Sequence, residues 1–251
     1  MDTLHQQTAL ITGGNSGIGY ATAKLFKAKG AKVIITGRDP EAVARASDEL
    51  GVTGYVSNQA NLLSIDQLFK TVKADFGALD TIFLNAGTAE FLPFEQASEE
   101  HFDYLMDTNV KGIFFTLQKL LPLVNSGGSV IFNTSVNASV GMPNSGVYSA
   151  SKAALIGLNR VLATELAPKN IRVNCISPGP VETPVYQKLG MDAAEIDAFS
   201  NILSNKILLK RFAHAEEIAQ LASFLASKNS AFITGTEIVI DGGLTVNPII
   251  N

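Results

Sequence analysis

The stretch YSASK, residues 148–152, places a tyrosine four positions before a lysine. If the stretch is helical, Tyr148 and Lys152 lie on the same face, about one turn apart. A free phenol has a pKa of about 10 and is a poor base at neutral pH. A nearby ammonium favours the phenolate, so we expect Lys152 to lower the pKa of Tyr148 by about 1–3. The pair is either a proton-transfer device or two polar residues on a solvated helix face.

A second chemical feature is the segment TALITGGNSGIGYATAKLF, which predicts a strand, a glycine-rich turn and a helix. Glycine allows a sharp turn and lets a ligand approach the backbone closely. The N-terminus of the following helix offers free N–H groups and the positive end of a dipole, which suit a pyrophosphate. The spacing GxxxGxG differs from the GxGxxG fingerprint, but the required strand and helix flank it. We therefore expect dinucleotide binding at this turn.

The end of the second predicted strand, IITGRD, bears on the choice of dinucleotide. An acidic residue there binds the ribose of NAD, whereas an arginine accommodates the 2′-phosphate of NADP. Gly37 removes a side chain, and Arg38 supplies a guanidinium that can bind a phosphate through two hydrogen bonds. We expect NADP to be preferred, with NAD possible. The alternative is that Arg38 is a surface cation and Asp39 binds the ribose.

Segments typical of strands and helices alternate along the chain. Apolar, β-branched runs predict strands at 8–12, 32–36, 54–56, 81–84, 128–135, 171–177 and 236–243. Helical spacing predicts helices at 17–29, 40–50, 64–76, 148–167 and 214–226, with a longer helical region at 99–124. This alternation is typical of a parallel sheet with helices on both faces. The expected fold class is a Rossmann-like, three-layer α/β fold with a doubly wound parallel sheet of about seven strands.

Composition excludes several classes of function. The 251 residues are 46% hydrophobic and no Pro/Gly/Ser-rich linker divides them, so we expect a single Rossmann-type domain over residues 1–251. A net charge of −4 argues against nucleic acid as a partner. The start of the chain resembles no signal peptide and no apolar run approaches a membrane helix, so we expect a cytoplasmic protein with neither a membrane partner nor a metal. The single cysteine, Cys175, is expected to be a buried strand residue.

Two predicted helices are more apolar than a surface position requires. The segments 109–124 and 153–166 carry apolar residues around much of their circumference, although a surface helix needs only an apolar stripe. We expect another subunit to cover their outer faces, in a homotetramer or homodimer formed through the helices at 109–124 and 148–167. The alternative is that a long loop covers them.

Further motifs complete a family pattern. They are NAG at 85–87, TNVKG at 108–112, NTS ending at Ser135 and SPGPVETP at 177–184. Together with TGGNSGIG and YSASK, they occur in the order and at the spacing of the classical short-chain dehydrogenase/reductase family. The chain resembles that family from Gln7 to about Val246.

The resemblance implies a catalytic set. Tyr148 would be the acid/base, and Lys152 would support it and bind the nicotinamide ribose. Ser135 would orient the substrate carbonyl, with its neighbour Thr134 as the main competitor for that role. Asn109 would help to hold a water that leads protons towards the lysine.

The resemblance also implies a cofactor groove. Asn61 stands where the family commonly has an aspartate that accepts from the adenine amino group, and its amide oxygen can still accept. The position of Ser16 is often basic in NADP-preferring members. The expected cofactor-binding residues are those of the glycine turn (Gly13, Asn15, Ser16, Gly17, Ile18, Gly19), those of the adenosine side (Gly37, Arg38, Asn61, Leu62, Asn85, Ala86, Gly87), those of the nicotinamide side (Pro178, Gly179, Val181, Thr183), and Tyr148 with Lys152.

The reaction implied by the resemblance is NADP(H)-dependent interconversion of a ketone or aldehyde and a secondary alcohol. Hydride delivered to carbon leaves negative charge on oxygen, where Ser135 can donate a hydrogen bond and Tyr148 a proton. A cap at about 185–210 is expected to cover the substrate. The candidate pocket residues are Tyr186, Leu189, Phe199, Ile202 and Leu203 in the cap, and Phe91, Leu92 and Met142 elsewhere; they could equally be core.

Two alternatives remain open. A 3-oxoacyl-thioester reductase of lipid synthesis would need a docking patch for a carrier protein, and no obvious basic cluster appears in the sequence. A non-catalytic dinucleotide-sensing protein would have no need for Ser135, Tyr148 and Lys152 together.

Overall fold

The structure, a computed structural model, describes residues 4–184 and 192–246, without the side chains of residues 193, 194 and 199. Its strands are β1 (Thr8–Thr12), β2 (Lys32–Gly37), β3 (Thr53–Val56), β4 (Leu79–Leu84), β5 (Val124–Asn133), β6 (Arg172–Pro178), β7 (Val181–Glu182), β8 (Ala213–His214) and β9 (Glu237–Ile240). Its α-helices are α1 (Gly17–Ala28), α2 (Pro40–Leu50), α3 (Leu62–Asp75), α4 (Glu99–Met106), α5 (Gly112–Leu120), α6 (Gly146–Leu166), α7 (Ala193–Ser204) and α8 (Ala215–Ala226).

The main sheet has seven parallel strands in the order β3-β2-β1-β4-β5-β6-β9. Strands β7 and β8 form a separate pair beside it. The winding direction reverses between β1 and β4, and ligands of such sheets bind beyond the carboxyl ends of the strands at this point. The expected doubly wound, seven-stranded sheet is confirmed.

Both faces of the sheet are buried, which explains the continuous apolar runs of its strands. Alternate residues of a strand point to opposite faces. Leu10 of β1 therefore packs into the cluster under α3, α5 and α6, whereas its neighbour Ile11 packs into the cluster under α1 and α8. Cys175 is buried in β6 as expected, and burial raises the pKa of its thiol.

Most predicted elements have nearly the expected boundaries, but the helical region at 99–124 is interrupted. Helix α4 ends at Met106, and a π-helical turn, Asp107–Lys111, separates it from α5. A π turn contains an extra residue and is often found at functional sites. We call Asp107–Lys111 the π turn below.

Neither a membrane-spanning helix nor a metal-binding cluster is found within the described residues. Among the helices within the described ranges, none is both long and apolar enough to cross a bilayer. The same ranges contain no group of three or more His, Cys, Asp or Glu side chains that could hold a metal ion.

Candidate active site

The glycine turn joins β1 to α1 at the switch point of the sheet. Gly13 has a φ of 64°, a left-handed conformation that favours glycine. A methyl group at Gly19 would lie only 2.2 Å from the carbonyl oxygen of Gly13. The turn can therefore fold tightly over the first turn of α1, where Ser16 is the N-cap residue and Gly17, Ile18 and Gly19 follow. The result is a backbone cradle at a helix N-terminus, which suits a pyrophosphate.

Asn85 fastens this turn to the neighbouring strands. Its side-chain nitrogen donates to the carbonyl oxygens of Thr12 (3.0 Å) and Gly13 (3.3 Å), and its amide oxygen accepts from Asn133 (2.9 Å). The hydroxyl of Thr12 accepts from the backbone N–H groups of Asn85 and Ala86. The hydrogen bonds of the Asn85 side chain thus connect the ends of β1, β4 and β5. Thr12 and Asn133, which take part in these hydrogen bonds, were not among the predicted site residues.

The adenosine end of the groove is formed after β2. A methyl group at Gly37 would lie 2.5 Å from Oδ1 of Asn15, so the backbone of β2 passes directly under the glycine turn. Arg38 is exposed, and one of its guanidinium nitrogens lies 3.5 Å from the hydroxyl of Tyr104. Asp39 is the N-cap residue of α2, and Oδ1 accepts from two backbone N–H groups of that helix at 3.0 and 3.2 Å.

The structure assigns Asn61 a role that differs from the expected adenine contact. Asn61 is the N-cap residue of α3, and its amide oxygen accepts from the backbone N–H groups of Leu63 (2.9 Å) and Ser64 (3.2 Å). That acceptor is therefore already engaged, and Leu62 is the exposed first residue of the helix. Gln59, nearby in the chain, is a buried polar side chain that donates to the carbonyl oxygen of Ala86 in the NAG loop.

The nicotinamide end follows β6, which ends at Pro178. Gly179 packs closely against Asp241: a methyl group added at Gly179 would lie 2.8 Å from the Cα of Asp241. Val181 is buried in β7. A methyl group at Gly17 would lie 3.3 Å from Cγ2 of Thr183, so this segment returns to the glycine turn. The segment after β6 therefore lies next to the start of α1.

Tyr148 and Lys152 share one face of α6, as the spacing predicts. The ammonium nitrogen of Lys152 lies 5.8 Å from the ring centroid of Tyr148 and donates to the main-chain oxygen of Asn133 at 2.9 Å. Only 4% of Lys152 is exposed. Ser135, just beyond β5, forms a side-chain hydrogen bond with the phenol. Three polar groups therefore converge at the carboxyl end of β5.

The expectation that Lys152 lowers the pKa of Tyr148 is wrong. Burial raises the pKa of Tyr148, and the hydrogen bond with Ser135 offsets only part of this effect. Burial also lowers the pKa of Lys152 to about 8. The charge of the neighbouring lysine is visible in the sequence, whereas the cost of desolvating both groups is not. At neutral pH the structure thus favours a protonated phenol beside an ammonium group.

Thr134, the competitor of Ser135, faces away from the phenol. It is buried, and its hydroxyl donates to the carbonyl oxygen of Ile176 (2.8 Å) and lies 2.5 Å from Oγ of Ser177. These contacts attach it to β6. Of the two neighbouring hydroxyls, only that of Ser135 meets Tyr148.

Asn109 lies within the π turn and is completely buried. Its side-chain nitrogen donates to the carbonyl oxygen of Thr88 (2.8 Å) and to Oγ of Ser151 (3.1 Å), and its oxygen accepts from the N–H of Thr88 (2.8 Å). Ser151 in turn donates to the carbonyl oxygen of Tyr148 at 2.7 Å. Asn109 therefore joins the loop after β4 to α6. Thr88 lies outside the motifs, and Ser151 lies within YSASK but was not among the predicted site residues.

An aromatic side chain stands next to Tyr148. The ring of Phe91 meets that of Tyr148 edge to face, with centroids 5.6 Å apart, and 39% of Phe91 is exposed. The backbone N–H of Leu92 donates to the carbonyl oxygen of Asn144 at 2.8 Å, two residues beyond Met142. Ile202 of α7 is exposed. Tyr186 and Leu189, and the side chain of Phe199, lie outside the described residues.

Comparison with known proteins gives consistent matches over most of the chain. The family model described as Enoyl-(Acyl carrier protein) reductase matches residues 13–245. "Oxidoreductase asL5" of Sarocladium schorii is 40% identical over 95% of this chain and 95% of its own length. "3-oxoacyl-[acyl-carrier-protein] reductase FabG" of Thermotoga maritima is 36% identical over 97% of this chain and 99% of its own. Among solved structures, a short-chain type dehydrogenase/reductase from Mycobacterium marinum superimposes with a TM-score of 0.87 and 30% identity, covering 97% of this chain and 97% of that one.

Proposed function

The chain belongs to the short-chain dehydrogenase/reductase family, and from this premise we propose that it interconverts a ketone or aldehyde and an alcohol with NADP(H) as the hydride carrier. It is an oxidoreductase of a family that uses NAD(P). The observation that carries the proposal is the convergence of Ser135, Tyr148 and Lys152 at the carboxyl end of β5, next to Gly87. A non-catalytic dinucleotide sensor would not need this convergence.

The residues of the glycine turn fit a dinucleotide, because Gly13 and Gly19 have no room for side chains against Ala86 and the Gly13 carbonyl, so the turn folds closely over the start of α1. When bound, the nicotinamide supplies the hydride for reduction or accepts it in oxidation. Thr183 and Val181 would hold that end, and the amides of the first turn of α1 would hold the pyrophosphate.

In the reductive direction, Ser135 donates a hydrogen bond to the substrate oxygen, where negative charge develops. Tyr148 donates the proton that completes the alcohol. Its raised pKa keeps the phenol protonated at neutral pH, as an acid requires. The Lys152 ammonium stabilises the phenolate that remains until it is reprotonated. In the oxidative direction the same phenolate is the base.

The preference for NADP is supported by the contacts after β2. The carboxylate of Asp39 is engaged at the N-terminus of α2, which argues against its use on a ribose. Gly37 has no room for an acidic side chain beside Asn15. Arg38 is exposed at this end, where its guanidinium can turn towards a 2′-phosphate.

The cofactor preference can be tested with Arg38→Ala, compared with Arg45→Ala on the exposed face of α2. We expect the first variant to raise the KM for NADPH about tenfold and to leave the KM for NADH within about twofold, because a charge-assisted contact is worth about 1.5–3 kcal/mol. The control should change neither. A lower KM for NADH than for NADPH in the parent protein would refute the preference.

The reaction itself is tested by following NADPH absorbance at 340 nm with a panel of ketones, aldehydes and alcohols. A 3-oxoacyl thioester belongs in the panel, because the Thermotoga maritima relative is named as a 3-oxoacyl-[acyl-carrier-protein] reductase. Turnover of the thioester without turnover of free ketones would favour that second candidate. No turnover of any compound would favour the sensor.

We further propose a homotetramer or homodimer in the cytoplasm. The outer face of α6 carries small residues, and within the described part of the chain nothing lies within 4 Å of a methyl group added at Gly157. Phe114 of α5 and Val161 of α6 are exposed. Glycine in a helix interior destabilises the helix. Close approach of a helix from a second subunit would explain why Gly157 stands in the middle of α6. A monomer at micromolar concentration in analytical ultracentrifugation would contradict the assembly.

A further inference from the structure

Gln59 is a buried polar residue that no motif identifies. It lies between β3 and α3 and is 9% exposed. Its side-chain nitrogen donates to two main-chain carbonyl oxygens, that of Ala86 at 3.1 Å and that of Thr108 at 2.8 Å. Its side-chain oxygen is buried and has no hydrogen-bond partner among the residues that the structure describes.

The two acceptors determine the orientation of the amide. Rotating the group by a half-turn would place its oxygen against the carbonyl oxygens of Ala86 and Thr108, which cannot donate. The unpaired oxygen is therefore the consequence of making both bonds. Buried polar atoms without partners are rare in native proteins and call for an explanation.

The two carbonyls belong to the two segments that shape the active site. Ala86 is the middle residue of the NAG loop, and Thr108 precedes Asn109 in the π turn. The backbone of Gln59 is also in tight contact with α5, because a methyl group at Gly112 would lie 2.3 Å from its carbonyl oxygen. Gln59 thus touches the NAG loop, the π turn and the start of α5 at once.

The atoms around Gly87 are so close together that the NAG loop has little room to move. A methyl group at Gly87 would lie 3.1 Å from Oδ1 of Asn109 and 3.4 Å from Nζ of Lys152. A small displacement of the loop would therefore disturb Asn109, Lys152 or the nicotinamide ribose expected beside them. Misplacement by about 1 Å is enough to cost a large factor in rate.

We propose that Gln59 is a positioning residue, which bridges the NAG loop and the π turn and so keeps Gly87, Asn109 and Lys152 in their reactive arrangement. Asn109 joins the same two segments through Thr88, and Gln59 supplies a second, independent connection. The kinetic part of this inference rests on the proposed function; the structural part does not.

The test is Gln59→Met, which keeps the length of the side chain and removes both hydrogen bonds. Gln67→Met, on the exposed face of α3, is the matched control. Because the unpaired oxygen disappears together with the bonds, the melting temperature should change little. We expect hydrogen exchange at residues 85–89 and 107–112 to accelerate about tenfold. We also expect kcat/KM for the carbonyl to fall about tenfold or more. The control should leave all three unchanged.

Gln59→Glu is the second variant, because a carboxylate has the same shape but cannot donate when ionised. It should reproduce the faster exchange. Unchanged exchange and unchanged kinetics in both folded variants would overturn the proposal. Failure of both variants to fold would assign Gln59 a structural role and would overturn it as well. The exchange measurement needs no substrate, so faster exchange in a protein that reduces no carbonyl would refute the proposed function and leave the bridge intact.

Discussion

The two ends of the candidate site differ in whether their side chains are buried and bonded to one another or leave open space. At the catalytic end, side chains are buried and bonded to one another, as in the contacts of Asn109 with Ser151 and of Lys152 with Asn133. At the adenosine end, Gly37 has no side chain and Arg38 is exposed. Proton transfer needs groups that are held in position before the substrate arrives. Nucleotide binding needs open space that the ligand itself fills.

The two cations show the same contrast. Lys152 is buried, and burial lowers its pKa to about 8, within the range where enzymes operate. Arg38 is exposed, and a guanidinium remains charged at any physiological pH. A buried lysine can therefore respond to its surroundings, whereas an exposed arginine carries a constant charge, which the proposed contact with a 2′-phosphate requires.

The largest effect is expected from Tyr148→Phe, which removes one oxygen from the catalytic end. We expect kcat for carbonyl reduction to fall by about 10²–10⁴-fold, because a positioned acid contributes about that much. NADPH binding should change far less than kcat, since the glycine turn and the segment after β2 are unchanged. Tyr20→Phe, which removes a hydroxyl bonded to Glu49, is the control and should retain full activity. Turnover of every accepted ketone at the parental rate in Tyr148→Phe would place the acid elsewhere.

A smaller effect on activity is expected from raising the pH, because a buried lysine can lose its proton and an arginine cannot. Below pH 8 Lys152 carries its proton, and above pH 8 it loses it, so kcat/KM for NADPH should decline about tenfold per pH unit above about 8. This ratio reports ionisations of the free enzyme. In Lys152→Arg the decline should disappear, even though the activity is lower, because the guanidinium does not titrate there. A profile that still bends near pH 8 in this variant would assign the titration to another group.

The smallest effect is expected from Asp39→Asn at the adenosine end. Asparagine caps a helix about as well as aspartate, so stability should change by only a few tenths of a kcal/mol. The KM values for NADPH and NADH should stay within about twofold of the parent, because Asp39 serves α2 and not the ribose. A tenfold rise in the KM for NADH alone would revive the alternative in which Asp39 binds the cofactor. Chemical denaturation and initial rates with both cofactors provide the measurements.

The sheet could be predicted because its signals are local. An apolar run such as that of β1 and the glycines after it identify a strand and its end without knowledge of any partner. The choice between Thr134 and Ser135 could not be made in this way. Neighbouring residues of an extended segment point to opposite sides, so only one of the two faces the phenol, and the sequence does not say which.

Other features depend on distant contacts that carry no sequence signal. The raised pKa of Tyr148 follows from burial by elements far away in the chain, whereas its lysine neighbour is visible in the motif. The bridge from Gln59 to Thr108 spans residues that are 49 apart. The position of Asn61 is different, because an asparagine before an apolar helical run is a recognisable N-cap signal. That signal would have identified its role without the structure.

The π turn also determines how much length variation this part of the chain can tolerate. Each residue of an α-helix rotates the following segment by about 100°. Deleting one residue within Asp107–Lys111 would restore a regular helix and leave Ile113, Leu117 and Leu120 facing the core, because a π turn takes up its extra residue locally, but it would remove the wider turn that holds Asn109. Insertions and deletions in natural or engineered descendants of this sequence should therefore avoid these five positions, whereas substitutions that preserve the residue number should be accepted more readily.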